Sequence, residues 1–137
     1  MSLSERITLI PRRMIADERG WFLKVVDGGE TGIPDHTGEV YLTMAVPGQA
    51  RGNHYHPLTD EWFTIVAGRA LLLVADPVSG ERAEFWLDAG EPQTVHMPAG
   101  IAHVFVNPVD AEADFLLVAY AANRHDPADT VPFRVEP

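Results

Sequence analysis

The chain has 137 residues, enough for one domain with a real core, and its 46% hydrophobic content sets it apart from disordered sequences. Its net charge of −10 argues against nucleic acid as a partner, because binding phosphate backbones needs a basic face. The absence of cysteine excludes disulfide frameworks and thiolate metal sites, and no apolar run is long enough to span a bilayer. The N-terminus, Met1 to Arg6, lacks the charged-then-apolar pattern of a signal peptide, so the expectation is a cytoplasmic protein without a membrane partner.

Eleven Gly and eleven Pro are spread through the sequence and leave little room for long helices. The apolar pattern is mostly of period two or in short continuous runs, which predicts strands. A first short strand covers Thr8 to Ile10. Asp17-Glu-Arg-Gly20 reads as a turn and Trp21 to Val26 as a strand. Residues 27–38 hold four Gly and one Pro and read as a loop. Glu39 to Val46 is the next strand, stopped by Pro47-Gly48. A strand ending at Pro57 follows, then Glu61 to Val66 and Ala70 to Ala75, which Ala67-Gly-Arg69 is expected to join as a tight hairpin. Ala83 to Leu87, Thr94 to Met97, Val104 to Val106 and Asp114 to Ala121 complete the strands. The tail from Asn123 is expected to pack as an irregular arm. Eight to ten short strands with regular turns predict an all-β sandwich or barrel. Trp21, Trp62 and Trp86 all fall in predicted strands and read as core or interface.

The chemistry concentrates in Arg51-Gly-Asn-His-Tyr-His-Pro-Leu-Thr-Asp-Glu61. His54 and His56 are two apart, so on a strand they point the same way. Glu61 follows five residues later, and His103 lies on a distant strand. Three imidazoles and a carboxylate suit zinc, iron, manganese, nickel or copper. Tyr55 alternates away from the two histidines. His36, His96 and His125 lack any such spacing and read as loop or solvent-facing positions. The chain has nine Arg and one Lys, Lys24. Arg51 adjoins the histidines and is the cation best placed to grip phosphate by paired hydrogen bonds.

The sequence resembles the cupin superfamily. Gly48-x5-His54-x-His56-x4-Glu61-x6-Gly68 fits the first cupin motif in every spacing, and Pro98-x-Gly100-x2-His103-x3-Asn107 fits the core of the second. The resemblance implies a double-stranded β-helix, or jelly roll. It would form a single domain over 1–137, with the metal-site core at about 40–121 and a C-terminal arm at 122–137. It also implies that His54, His56, Glu61 and His103 face a divalent metal inside the barrel, zinc first, with iron, manganese or nickel as alternatives.

A narrower resemblance concerns nucleotide-sugar enzymes. Asp17-Glu-Arg-Gly-Trp-Phe22 and Arg51-Gly-Asn-His-Tyr55 are similar to segments of dTDP-4-dehydrorhamnose 3,5-epimerases. Arg51 to His56 and the stretch from Tyr120 to Thr130 resemble the cupin domain of bifunctional capsular-polysaccharide nucleotide-sugar reductases. The sugar 3,4-ketoisomerases share the paired histidines but typically lack a carboxylate at the position of Glu61. In rhamnose-type epimerases the first histidine is a base and a late tyrosine an acid, whereas Leu117 and Ala122 stand here where tyrosines are expected.

The resemblance implies a metal-dependent epimerase or isomerase acting next to the keto group of a nucleotide-activated 4-keto-6-deoxysugar. Tyr41, Tyr120 and His54 are the catalytic candidates, and Arg51 and Asn53 the substrate-binding ones. A metal-dependent cupin oxygenase and a non-catalytic sugar-binding cupin are the alternatives. A homodimer is expected, because pairing covers an exposed edge strand.

Overall fold

The computed structural model describes residues 1–18, 20–36 and 38–136. It begins with one helical turn, α1 (Leu3–Arg6), whose Leu3 is fully buried. The strands follow as β1 (Thr8–Pro11), β2 (Met14–Asp17), β3 (Gly20–Leu23), β4 (Glu39–Ala45), β5 (Ala50–Tyr55) and β6 (Glu61–Ala67). After them come β7 (Arg69–Ala75), β8 (Arg82–Asp88), β9 (Gln93–Met97), β10 (Ala102–Val106), β11 (Phe115–Ala121) and the short β12 (Val131–Pro132).

Two five-stranded antiparallel sheets form a sandwich. One has the order β1-β9-β6-β11-β4 and the other β12-β5-β10-β7-β8. Alternation puts Phe63, Ile65, Leu72, Val74, Phe105, Phe115 and Leu117 between the sheets, where they form the main core. A smaller apolar cluster lies on the far side of the second sheet. There Val135 and Phe133 of the C-terminal arm cover Ala75, Ala102, Val104 and Tyr55. This is the cupin jelly roll expected from the motifs. Among the described residues no helix is long and apolar enough to cross a membrane.

Two local expectations need correction. Ala67-Gly68-Arg69 is not a hairpin, because β6 and β7 belong to different sheets. Gly68, at φ 75°, turns the corner between them, and a Cβ there would meet the Asp114 carbonyl oxygen at 2.4 Å. The predicted strand from Trp21 ends at Leu23 and instead pairs with β2 as a separate two-stranded ribbon. The turn predicted between them includes Arg19, which lies outside the described residues. Of the three tryptophans only Trp62 is buried, while Trp21 and Trp86 are 56% and 49% exposed.

The decisive local feature is in β5. His103 pairs with His54, but Val104 pairs with Gly52, so Asn53 is an extra residue with φ 63°. Asparagine tolerates this left-handed conformation. Gly52, at φ 124°, lies so near β10 that a Cβ would stand 2.6 Å from the His103 carbonyl oxygen. The Gly-Asn pair is therefore a bulge that brings the ends of β5 and β10 together at their histidines.

Candidate active site

The site lies between the sheets at the end where β5, β6 and β10 carry polar inward residues. The ring donor atoms of His54, His56 and His103 lie within 4.8 Å of one another. Glu61, the first residue of β6, is buried beside this triad. Its Oε1 stands 3.1 Å from Nε2 of His56 and 3.7 Å from Nε2 of His103, yet accepts no hydrogen bond of normal geometry. Its Oε2 accepts a hydrogen bond of 2.7 Å from the Tyr41 hydroxyl.

The tautomers follow from the neighbours. Nδ1 of His56 is 2.9 Å from the Asp129 carbonyl oxygen, and Nδ1 of His103 is 3.1 Å from that of Ile101. A carbonyl oxygen only accepts, so both Nδ1 atoms carry the proton. In the neutral rings each Nε2 then directs a lone pair toward the carboxylate oxygen of Glu61. Burial pushes the His103 pKa down to about 4, so that ring is neutral at pH 7. Three lone pairs converging in a buried space repel unless a cation or a proton lies among them. The set fits a small divalent ion, and both histidines already have the carbonyl partners that metal-bound histidines use.

His54 differs. Its pKa is lowered, by burial first and by His56 second, so it too is neutral. No ring nitrogen of His54 has a hydrogen-bond partner among the described residues. For His56 the adjacent Glu61 carboxylate prevails over burial and raises the pKa. For Glu61 burial pushes upward, but contacts with His56, His103 and Tyr41 outweigh it and the pKa is lowered. Burial and the Glu61 charge drive the Tyr41 pKa far above the usual phenol value, so Tyr41 holds its proton.

The cavity has two lobes that meet at Tyr41 and His54. One, of about 370 Å³, is lined by Glu39, His56 and Glu61 and walled by the C-terminal arm through Asn123, Arg124 and His125. The other, of about 350 Å³, is lined by Arg51, Phe63, His103, Phe105 and Leu117. Arg51 donates from Nε to the Met44 carbonyl oxygen at 2.7 Å and is otherwise exposed at this second lobe.

Several expected residues do other work. Tyr41 reaches the site, where it donates to Glu61, and burial and the Glu61 charge favour its protonated form. Tyr120 lies on the opposite face of β11 from the inward Ala119 and Ala121. Its ring stands edge-on to Trp62, and its hydroxyl reaches only the His36 carbonyl oxygen, at 3.4 Å. The strict alternation of a strand excludes it from the cavity. Asn53 is turned away by its bulge. Its side chain donates to Glu136 and accepts from the Val135 N–H, both at 2.9 Å, so it anchors the arm and does not face the cavity.

Tyr55 faces outward onto Phe133, as alternation requires. His96 stacks on Trp62 and pairs with Asp60 at 2.8 Å, outside the cavity. The sequence reading missed Asn123, Arg124 and His125 as cavity wall and Asp129 as the partner of His56. A local spacing rule could not find them, because the arm returns to the site from about 70 residues away.

The family model described as polysaccharide biosynthesis C-terminal domain matches residues 15–131. No curated protein matches the sequence. Among solved structures, the capsular polysaccharide assembling protein CapF from Staphylococcus aureus is similar at 24% identity and TM-score 0.68. The match covers 91% of this chain but 35% of CapF, so the chain spans about a third of that protein. A dTDP sugar isomerase from Desulfovibrio desulfuricans G20 superposes with TM-score 0.83 at 18% identity, covering 96% of this chain and 86% of the other. NovW, a 4-keto-6-deoxy sugar epimerase from Streptomyces spheroides, superposes with TM-score 0.76 at 24% identity, covering 90% and 67%.

Proposed function

The chain belongs to the polysaccharide biosynthesis C-terminal domain family, and on that premise we propose that it is an epimerase or isomerase of a nucleotide-activated 4-keto-6-deoxysugar. The observation that carries this reading is His54, a neutral imidazole without a hydrogen-bond partner among the described residues, standing where both lobes of the cavity meet the buried donor set. The printed descriptions of the similar structures, a dTDP sugar isomerase and a 4-keto-6-deoxy sugar epimerase, support the substrate class.

A histidine that binds metal normally donates its other N–H to a carbonyl or carboxylate. His56 and His103 do so and His54, which the sequence reading also placed among the metal ligands, does not, and this supports a role for His54 as the proton acceptor. It would take the proton from the carbon next to the keto group, as a neutral imidazole acting as general base. His56, His103 and Glu61 would hold a divalent ion, which when bound supplies Lewis acidity toward the keto oxygen. Tyr41 keeps Oε2 of Glu61 occupied, so that Oε1 stays turned to the two histidines. Arg51 has guanidinium N–H groups free for a diphosphate at the mouth of the second lobe. Returning the proton to the opposite face of the carbon inverts it, and returning it to the neighbouring oxygen gives an isomer.

The test is deuterium incorporation. The pure protein is incubated in deuterated water with UDP- and dTDP-4-keto-6-deoxyhexoses. Deuterium is expected at C3 or C5, lost in His54→Gln while bound metal is retained. No incorporation with any such sugar would sink the reading.

The reading includes a dimer. Ile15, Trp21 and Phe22 of the β2–β3 ribbon are more than half exposed, as are Val40 and Leu42 on the edge strand β4. Strand β4 also supplies Tyr41 to the cavity wall, so a second copy seated there would bury apolar surface and complete the wall. A monomeric mass in solution at micromolar concentration would overturn this part.

A further inference from the structure

Asp129 makes three hydrogen bonds onto the short stretch from His56 to Thr59 that leads to Glu61. Its backbone carbonyl oxygen accepts from Nδ1 of His56 at 2.9 Å. Its carboxylate accepts from the Leu58 N–H at 2.8 Å and from the Thr59 hydroxyl at 2.6 Å. Asn123, at the other end of the same stretch of arm, donates to the Leu58 carbonyl oxygen at 3.2 Å and to Oγ1 of Thr59 at 3.1 Å. Asp129 and Thr59 are both buried although each is polar. Buried polar groups satisfied by one another in this way fix a single arrangement.

This arrangement has a chemical consequence. A free imidazole exchanges between two tautomers, and only the form with the proton on Nδ1 presents a lone pair on Nε2. The carboxylate of Asp129 docks residue 129 onto the turn, and its own carbonyl oxygen then selects the Nδ1–H form of His56. The same docking fixes the turn that sets the distance from His56 to Glu61. The first half of the donor set is therefore completed by a residue 73 positions away in the chain.

We propose that Asp129 is a positioning residue, which through the C-terminal arm locks the tautomer and placement of His56 for cation binding. The proposal rests on the metal-binding reading of His56, His103 and Glu61. Loss of an outer partner of a metal-bound histidine typically costs 10- to 100-fold in metal affinity.

The test compares Asp129→Ala and Asp129→Asn with Phe133→Ala, which loosens the arm on the outer face of the second sheet and touches nothing in the cavity. Zinc affinity is measured by competition with a chelator. The tautomer of His56 is read in the metal-free protein by long-range proton–nitrogen NMR, above the pH at which the ring titrates. Asp129→Ala is expected to weaken zinc binding by roughly 10- to 100-fold and to mix the His56 tautomers, with Asp129→Asn intermediate. Phe133→Ala should lower the melting temperature and leave both readouts unchanged.

If Asp129→Ala also lowers only the melting temperature, the inference is overturned. If the unaltered protein binds no zinc, the metal reading fails. The tautomer still decides the positioning role in that case, because a His56 already mixed in the unaltered protein, or unmoved in Asp129→Ala, overturns it.

Discussion

The two ends of the sandwich do opposite things with the same strands. Along β6 the inward residues run Glu61, Phe63, Ile65, from a buried carboxylate to a packed core in four residues. Strand β10 does the same with His103 and Phe105. At the apolar end, burial removes hydrocarbon from water and is favourable without conditions on direction. At the polar end, burial is costly and is tolerated only because each group meets a partner of defined geometry. The difference teaches that the packed end supplies stability, while the polar end spends some of it on holding three imidazoles and a carboxylate in contact.

The predictions separate the two ends, from the largest effect to the smallest. Phe115→Ala, at a fully buried position in the packed end, should lower stability by about 3–5 kcal/mol. Zinc affinity of the folded fraction should stay unchanged, and denaturant melts with and without zinc check both. A parallel loss of affinity would show that the two ends are one unit.

The second prediction concerns pH in the metal-free protein. His103 has a folded pKa of about 4 against an ordinary 6.5, so the unfolded chain binds its proton first as pH falls. Stability should decline as pH drops from about 6.5 toward about 4, by up to about 3 kcal/mol from this residue. The contribution of His56 has the opposite sign, because its pKa is raised. That stability is full below the ordinary value and is lost as pH rises through the folded one. His103→Asn should flatten the acid-side slope, and equilibrium unfolding across pH measures it.

Third, Gly52→Ala places a Cβ against β10 at a positive φ, which should cost about 1–3 kcal/mol. Because the bulge sets where the end of β5 carries His56 beside His103, zinc affinity should fall with it. Affinity that survives would mean the bulge is dispensable to the site. Fourth, Tyr41→Phe removes one hydrogen bond to a charged acceptor, worth about 1.5–3 kcal/mol at most. The expected readout is weaker zinc binding together with a melting temperature lowered by several degrees.

Much of the fold was legible. Strand positions came from period-two apolar patterning and from Gly and Pro punctuation. The donors His54, His56, Glu61 and His103 came from spacing on strands. Sheet membership was not legible at Gly68, since a two-strand hairpin and a corner between sheets look alike when only three residues are read. Tyr120 is a candidate by resemblance alone, and the parity of β11, which only the paired sheet reveals, points it outward. Asn53 was misassigned because the bulge reverses parity at one residue, and no local pattern announces a bulge except the Gly-Asn pair itself. The roles of Asn123 and Asp129 depend on where the arm returns.

Local patterning in the sequence is enough for an all-β sandwich or barrel, because alternation and turn chemistry are written residue by residue, and the motif resemblance adds the jelly roll and the grouping of His54, His56, Glu61 and His103. The tertiary structure alone shows which nitrogen of His56 and of His103 carries the proton, that Glu61 turns an unpartnered oxygen to both, and that no ring nitrogen of His54 has a hydrogen-bond partner among the described residues. Those facts depend on carbonyl groups and side chains brought in from distant segments, Asp129 above all. Their position is set by packing and is not encoded near the histidines they control.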